Sequence, residues 1–279
     1  ILDGLDEVAS ASGRDEVHHL AGLLTENGYT VVVTSRISGY TAPWAEAVHL
    51  AVFPLSEPAS ARFGDRWFTL TGNDVARRRH ASAAANPNIA SVLTNPLTLG
   101  FVCFVASHDD IPTTEAAIFE RFIDHFIRRT WHEPAQWITD SALVAAITQT
   151  ATDLAWAMSR TPHGAYQQRW TDTATLAQLE TLAPTVDAPH TVYAAGLLIA
   201  HGSITPTSER YQTVRWIHRV IHEHFTARHL ARLITSRTAE DAWPDLLAAI
   251  LHPSWSATLH QTGQLLSETA TLHSLLDDL

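Results

Sequence analysis

A mostly helical fold with a short parallel α/β opening is what this sequence predicts, on three observations. The chain runs strand, helix, strand, strand up to about Leu55, and helical periodicity takes over from Ser56. Alternation of polar and apolar residues then returns once, between Ser203 and His218, just ahead of a long helix.

In the opening, Ile1 to Val8 reads as the end of a buried strand that delivers Asp3 to a turn, with Asp6 and Glu7 directly behind it. Gly13 to Glu26 puts Val17, Leu20, Leu23 and Leu24 on one helical face, and Asn27-Gly28 supplies the stop. Tyr29 to Ser35 is a continuous run rich in β-branched residues, the pattern of a strand covered on both faces as in a parallel sheet. Ala47 to Phe53 repeats that pattern more weakly as a third strand.

Helices are then expected at Ser56 to Phe68, Asp74 to Ala85, Ile89 to Val105 with a break at Asn95-Pro96, and Thr114 to Trp131. The last carries an apolar stripe of Ile118, Phe122, Ile123, Phe126 and Ile127 behind the capping candidates Thr113 and Thr114. Ser141 to Arg160 and Thr173 to Leu182 follow, punctuated by Pro162-His163-Gly164 and by Pro184 to Pro189. Ser203 to Thr207 and Tyr211 to His218 read as a hairpin around Ser208-Glu209-Arg210, feeding a helix from Arg219 to Thr235. Helices followed by a hairpin and a helix resemble a winged helix. The tail from Glu240 to Leu279 is expected to be helical, with a stripe at Leu246, Leu247, Ile250 and Leu251.

Composition narrows the function classes. Eighteen arginines against twenty-nine carboxylates give a net charge of −11, which argues against a chain that coats nucleic acid. The one cysteine, Cys103, has no intramolecular disulfide partner and favours a reducing cytoplasm. The longest apolar run, Leu97 to Ala106, falls well short of the roughly 20 residues a membrane span requires. The chain opens on core-strand pattern with no basic n-region, so no signal peptide is expected.

A carboxylate at the end of a buried strand suits the magnesium shell of a nucleotide, and a second acid past the turn can orient or deprotonate an attacking water. That makes Asp3 the candidate metal residue and Asp6 and Glu7 the candidate catalytic ones. Thr34-Ser35-Arg36 ends the next strand, and in a parallel sheet such ends face one ligand crevice, where Arg36 can reach a phosphate. A nucleotide triphosphate also requires a phosphate cradle, usually a Gly-rich loop ending in Gly-Lys-Ser/Thr. No lysine occurs in the chain, so the cradle is expected upstream of Ile1.

The segments ILDGLDEV, VVVTSR, PNIASVLTNPLTLGFVC, IFERFIDHFIRR and WIHRVIHEHFTARHL follow one another in the order seen in NACHT-type NTPases of the STAND class, AAA+-related signalling ATPases. The resemblance covers roughly residues 1 to 235. It implies a truncated parallel α/β P-loop NTPase remnant over residues 1–71, a small helical domain over 72–113, a winged-helix domain over 114–235 and a helical linker over 236–279. It further implies Asp3 as the Walker B magnesium ligand, Asp6 and Glu7 as water-orienting acids and Arg36 as the sensor arginine. Pro96 would lie against the adenine, and His218 would touch the β-phosphate of ADP and hold the closed state. ADP/ATP exchange with Mg2+ would then switch domain arrangement and assembly, with protein partners or self-association in the intact parent, and with no nucleic acid or membrane partner. Against the family pattern phenylalanine-x-histidine-x-x-phenylalanine-glutamine-glutamate, the chain places Trp216, Ile221 and His222 at three slots while keeping His218 and Glu223.

Two other readings fail on spacing. His218 and His222 are separated by four residues, but a zinc-protease helix requires His-Glu-x-x-His, and after His222-Glu223 the last position is Thr226. Helix histidines are more commonly solvated or hydrogen-bonded in a core. Arg77-Arg78-Arg79-His80 spreads around a helix without an aromatic platform, as a solvated face does. The rival from another class is a non-catalytic helical protein-interaction module whose α/β start is a degenerate nucleotide site.

Overall fold

The computed structural model describes residues 1–5, 8, 11–35, 47–159, 173–182, 189–200, 213–236 and 255–267. The chain is mostly helical and divides into two compact units, Ile1–Phe53 and Pro54–Leu279.

In the first unit the expected parallel pairing is present but short. Leu2 bridges Val33 in parallel, its N–H donating to Val32 O at 2.8 Å and its carbonyl accepting from Thr34 N–H at 3.0 Å. Helix α1, Ala11–Glu26, begins two residues ahead of the expected start. It ends where Asn27-Gly28 predicts, with Gly28 at φ +83°, a conformation glycine adopts without penalty. The third expected strand, Ala47–Phe53, is not a strand. Its side chains are open to solvent, Val52 at 95% and Leu50 at 88%; strand propensity is expressed only against a neighbouring strand, and among the described residues none pairs with this segment.

The second unit opens with α2 (Glu57–Thr71), α3 (Asp74–Ala84) and the short α4 (Pro87–Ala90). A 3-10 turn at Val92–Thr94 leads to α5 (Pro96–His108) and then α6 (Glu115–Arg128). Side-chain caps set most of these starts. Asn73 accepts from Ala76 N–H, Asn95 from Leu97 N–H and Thr114 from Ala117 N–H, each satisfying a first-turn donor. Asn95 therefore separates the expected 89–105 helix into two, since Pro96 fits the first helical turn and not its interior. Helix α6 stops at Arg128, three residues short of expectation, because Arg129 is left-handed at φ 57°. Phe68, Ala76, Leu99, Val102 and Ile118 form the core beneath these helices.

Next come α7 (Ser141–Met158), β1 (Thr173–Thr175), α8 (Leu176–Leu182), α9 (Pro189–Ala194), β2 (Leu198–Ala200) and β3 (Thr213–Trp216). The three strands form an antiparallel sheet in the order β1-β3-β2, with Ala174 opposite Val214 and Ile199 opposite Arg215. The expected helix 173–182 thus gives its first three residues to the sheet. Thr175 and Gln178 mark the true start with a reciprocal capping box: Thr175 N–H to Gln178 Oε1 at 2.8 Å, and Gln178 N–H to Thr175 Oγ1 at 3.1 Å. The expected strand 203–207 lies outside the described residues, and β3 pairs with the fully apolar β2 on one side and with β1 on the other. Helix α10, Arg219–Ser236, follows β3 as expected, and α11, Ser256–Ser267, packs on α10 and α6. The expected stripe at 246–251 is outside the described residues.

The main core joins Ile123, Leu154, Leu179, Val214 and Phe225 from four helices and the sheet. A satellite core of Trp156, Leu230, Ile234, Trp255 and Leu266 fixes α11. Among the described residues no single helix is long and apolar enough to cross a membrane.

Candidate functional site

The acidic turn is built by the end of the parallel pairing. After Leu2 the ladder should continue through Gly4 N–H to the Thr34 carbonyl. Gly4 instead turns to φ +77°, and its N–H goes to the Thr34 hydroxyl at 3.0 Å, while Leu5 N–H takes the Thr34 carbonyl at 2.9 Å. The Thr34 hydroxyl in turn donates to Asp3 Oδ1. Asp3 is exposed and Leu5 is buried, so the turn shows a carboxylate while anchored from below. Asp6, Glu7 and Arg36 lie outside the described residues. Thr34, two positions before Arg36, carries the contact that sequence reading did not single out, although a hydroxyl at the strand end was its available signal.

Pro96 and His218 belong to the second unit. Pro96 is exposed at the first position of α5. His218 stands immediately before α10; its carbonyl accepts from Ile221 N–H at 3.1 Å and its Nδ1 from Val220 N–H at 3.2 Å. Acceptance at Nδ1 puts the proton of a neutral ring on Nε2. Helix α6 packs against both α5 and α10, but Pro96 and His218 sit on separate elements.

The rest of α10 is polar on nearly every face yet buried. Burial pushes the His222 ring down to about 3; its Nε2 lies 3.0 Å from Ala155 O and 3.2 Å from Ser159 Oγ. Trp216 stacks on it with centroids 5.3 Å apart and planes at 14°. Glu223 pairs with Arg219 at 2.8 Å. Ser159 is 1% exposed and His222 fully buried, so this serine–histidine contact lies in the interior.

Sequence reading missed the ion network that α10 makes with its neighbours. His224 places Nδ1 2.9 Å from Gln261 Oε1 of α11 and Nε2 3.1 Å from Glu120 of α6, which Arg228 also engages. Burial pushes the Glu120 carboxyl up, but the His224 hydrogen bond and the His224 and Arg228 charges outweigh it and hold it at about 2. One turn further on, Asp153 of α7 meets His229 Nδ1 at 3.1 Å and Arg232 at 2.5 Å, and Trp156 stacks on His229. These groups bind helices together. In the arginine run of α3, Arg77 lies beside Asp65 and Asp74, Arg79 pairs with Asp110, and His80 is buried.

The chain matches no protein-family profile and no curated protein sequence.

Proposed function

We propose that the chain is the back part of a cytoplasmic NACHT-like nucleotide switch in which Asp3 serves the magnesium ion of a bound nucleotide, Asp6 and Glu7 orient water, Arg36 reads the phosphate, Pro96 meets the adenine and His218 contacts ADP. The observation that carries this reading is the parallel Leu2–Val33 pairing, which sets the Asp3 carboxylate at the end of the ladder beside the segment leading to Arg36. The strand order β1-β3-β2, with α8 and α9 between β1 and β2, supports a winged helix within residues 114–235. The Nε2 proton of His218 is the donor that a phosphate oxygen would take.

The described residues offer magnesium one exposed carboxylate, Asp3, hydrogen-bonded by the Thr34 hydroxyl, and no group of three or more metal-ligating side chains gathers among them. They do not fit the phosphate cradle, since the chain has no lysine to neutralise β- and γ-phosphates. No hydrolytic step is therefore assigned to this chain. Asp3 would be the residue toward a bound magnesium ion, which would supply charge neutralisation for the phosphates.

A second reading, a non-catalytic helical interaction module, is favoured by one observation: among the described residues the three apolar clusters lie beyond Pro54. Titration of the full chain with fluorescent ADP and Mg2+ separates the two. The switch predicts saturable binding weakened by Asp3→Ala and by His218→Ala. Absence of binding, or binding indifferent to both, favours the module.

A further inference from the structure

We propose that His108 and His125 form an acid-sensitive clasp between α5 and α6, closed while the His125 ring is neutral and opened when that ring takes up a proton. The two rings face each other across the helices with centroids 4.9 Å apart and planes at 38°. His108 stands exposed at the last position of α5, its Nδ1 donating to Phe104 O at 2.9 Å. His125 is half-buried in the last turn of α6, at the edge of the Phe104 ring. Its Nδ1 is 3.3 Å from the Thr130 hydroxyl, whereas Nε2 is closed off from solvent and meets no hydrogen-bond partner among the described residues. The inference does not depend on the nucleotide reading.

Both nitrogens of a protonated imidazole are donors, so a charged His125 in this position would bury an Nε2 proton with no acceptor. Burial pushes the ring below its ordinary value, and the charges of His108 and Arg121 push the same way; Asp124 and Asp109 oppose them without reversing the direction. Both carboxylates are already engaged, Asp109 with Arg121 at 2.9 Å and Asp124 with Arg128 at 2.9 Å. In the turn beyond α6, Arg129 donates to Ala194 O at 3.0 Å and His132 lies against Trp131. Because the closed ring holds a proton more weakly than the open one, closure is complete above the ordinary 6.5 and weakens as pH falls below it. What loosens is the packing beside the pair, where Phe122 stacks on Phe101 at 4.0 Å and meets Phe104 edge-on at 5.4 Å. Helix α5 starts at Pro96 and α6 packs on α10, which follows His218, so the clasp governs the joint between those segments.

The test is amide hydrogen exchange of the full chain at pH 7.5 and 5.5, corrected for the intrinsic pH dependence of exchange. Protection across 101–108 and 119–127 should fall several-fold at the lower pH, with a ceiling of about tenfold because pH 5.5 lies one unit below the ordinary histidine value. His125→Phe keeps a ring against Phe104 and should hold that protection constant. Ring-carbon NMR supplies a second readout in a variant at an exposed position, His108→Phe. His125 should titrate below 6.5 in the wild type and at a higher pH in His108→Phe, which lacks the opposing charge. Protection that does not change with pH in the wild type, or that falls equally in His125→Phe, overturns the clasp. A His125 midpoint at or above 6.5, or one that His108→Phe leaves in place, overturns it as well.

Discussion

Replacing Glu120 with glutamine tests the polar network at its centre. Glutamine keeps an oxygen that can accept from His224 but removes the charge that Arg228 faces. The carboxyl falls from its ordinary 4.5 to about 2 in the folded chain, and at about 1.4 kcal/mol per tenfold this sets a ceiling of about 3 kcal/mol. The Glu120 and Arg228 side chains are 33% and 31% exposed, so solvent screening reduces the expected loss to about 2 kcal/mol. Because the folded value lies below the unfolded one, the stabilisation is complete well above pH 4.5 and disappears as pH falls toward about 2. Urea unfolding followed by tryptophan fluorescence should show Glu120→Gln weaker by about 2 kcal/mol at pH 7, with the gap to the wild type narrowing by roughly 1 kcal/mol by pH 3.5. Superimposable curves at pH 7, or a gap that does not change with pH, would refute the charge-based account.

Three further outcomes are expected. His222 is held neutral by burial, so between about pH 6.5 and 3 the unfolded chain takes up a proton that the folded ring refuses, and stability falls with pH. His222→Phe keeps a ring on Trp216 and should give a shallower decline in melting temperature from pH 7 to 4; equal slopes would contradict this. In Gly64→Ala the added methyl would meet the buried His80 ring at 2.5 Å, and a loss of about 1–3 kcal/mol is expected in urea unfolding. Unchanged stability would mean that the ring moves aside freely. The purified chain should show no saturable ATP hydrolysis above background, and robust turnover abolished by Asp3→Ala would prove that expectation wrong.

The helices were largely legible because their boundaries are local chemistry. Asn73, Asn95, Thr114 and Asp140 each cap the helix that follows them, and Gly28 and Gly72 terminate two others in left-handed backbone. The capping box at Thr175 and Gln178 was equally visible in the sequence, yet helical periodicity masked the three residues before it that pair with β3. β2 escaped because alternation marks strands with one wet face, whereas Leu198 is 1% exposed and the segment is apolar throughout. The 47–53 segment shows the converse, strand composition without a partner strand among the described residues. The ion network was illegible for another reason. Glu120 sits on the charged face of α6 in any reading, and nothing local reveals that His224 and Arg228, more than one hundred positions away, will cover it.

Amide hydrogen exchange of the full chain, with and without Mg2+ and ADP, tests the switch most directly. Slowed exchange in both the 2–5/32–35 pairing and the His218–Ile221 turn on adding nucleotide is the predicted result. Exchange unchanged by nucleotide in either segment would contradict it.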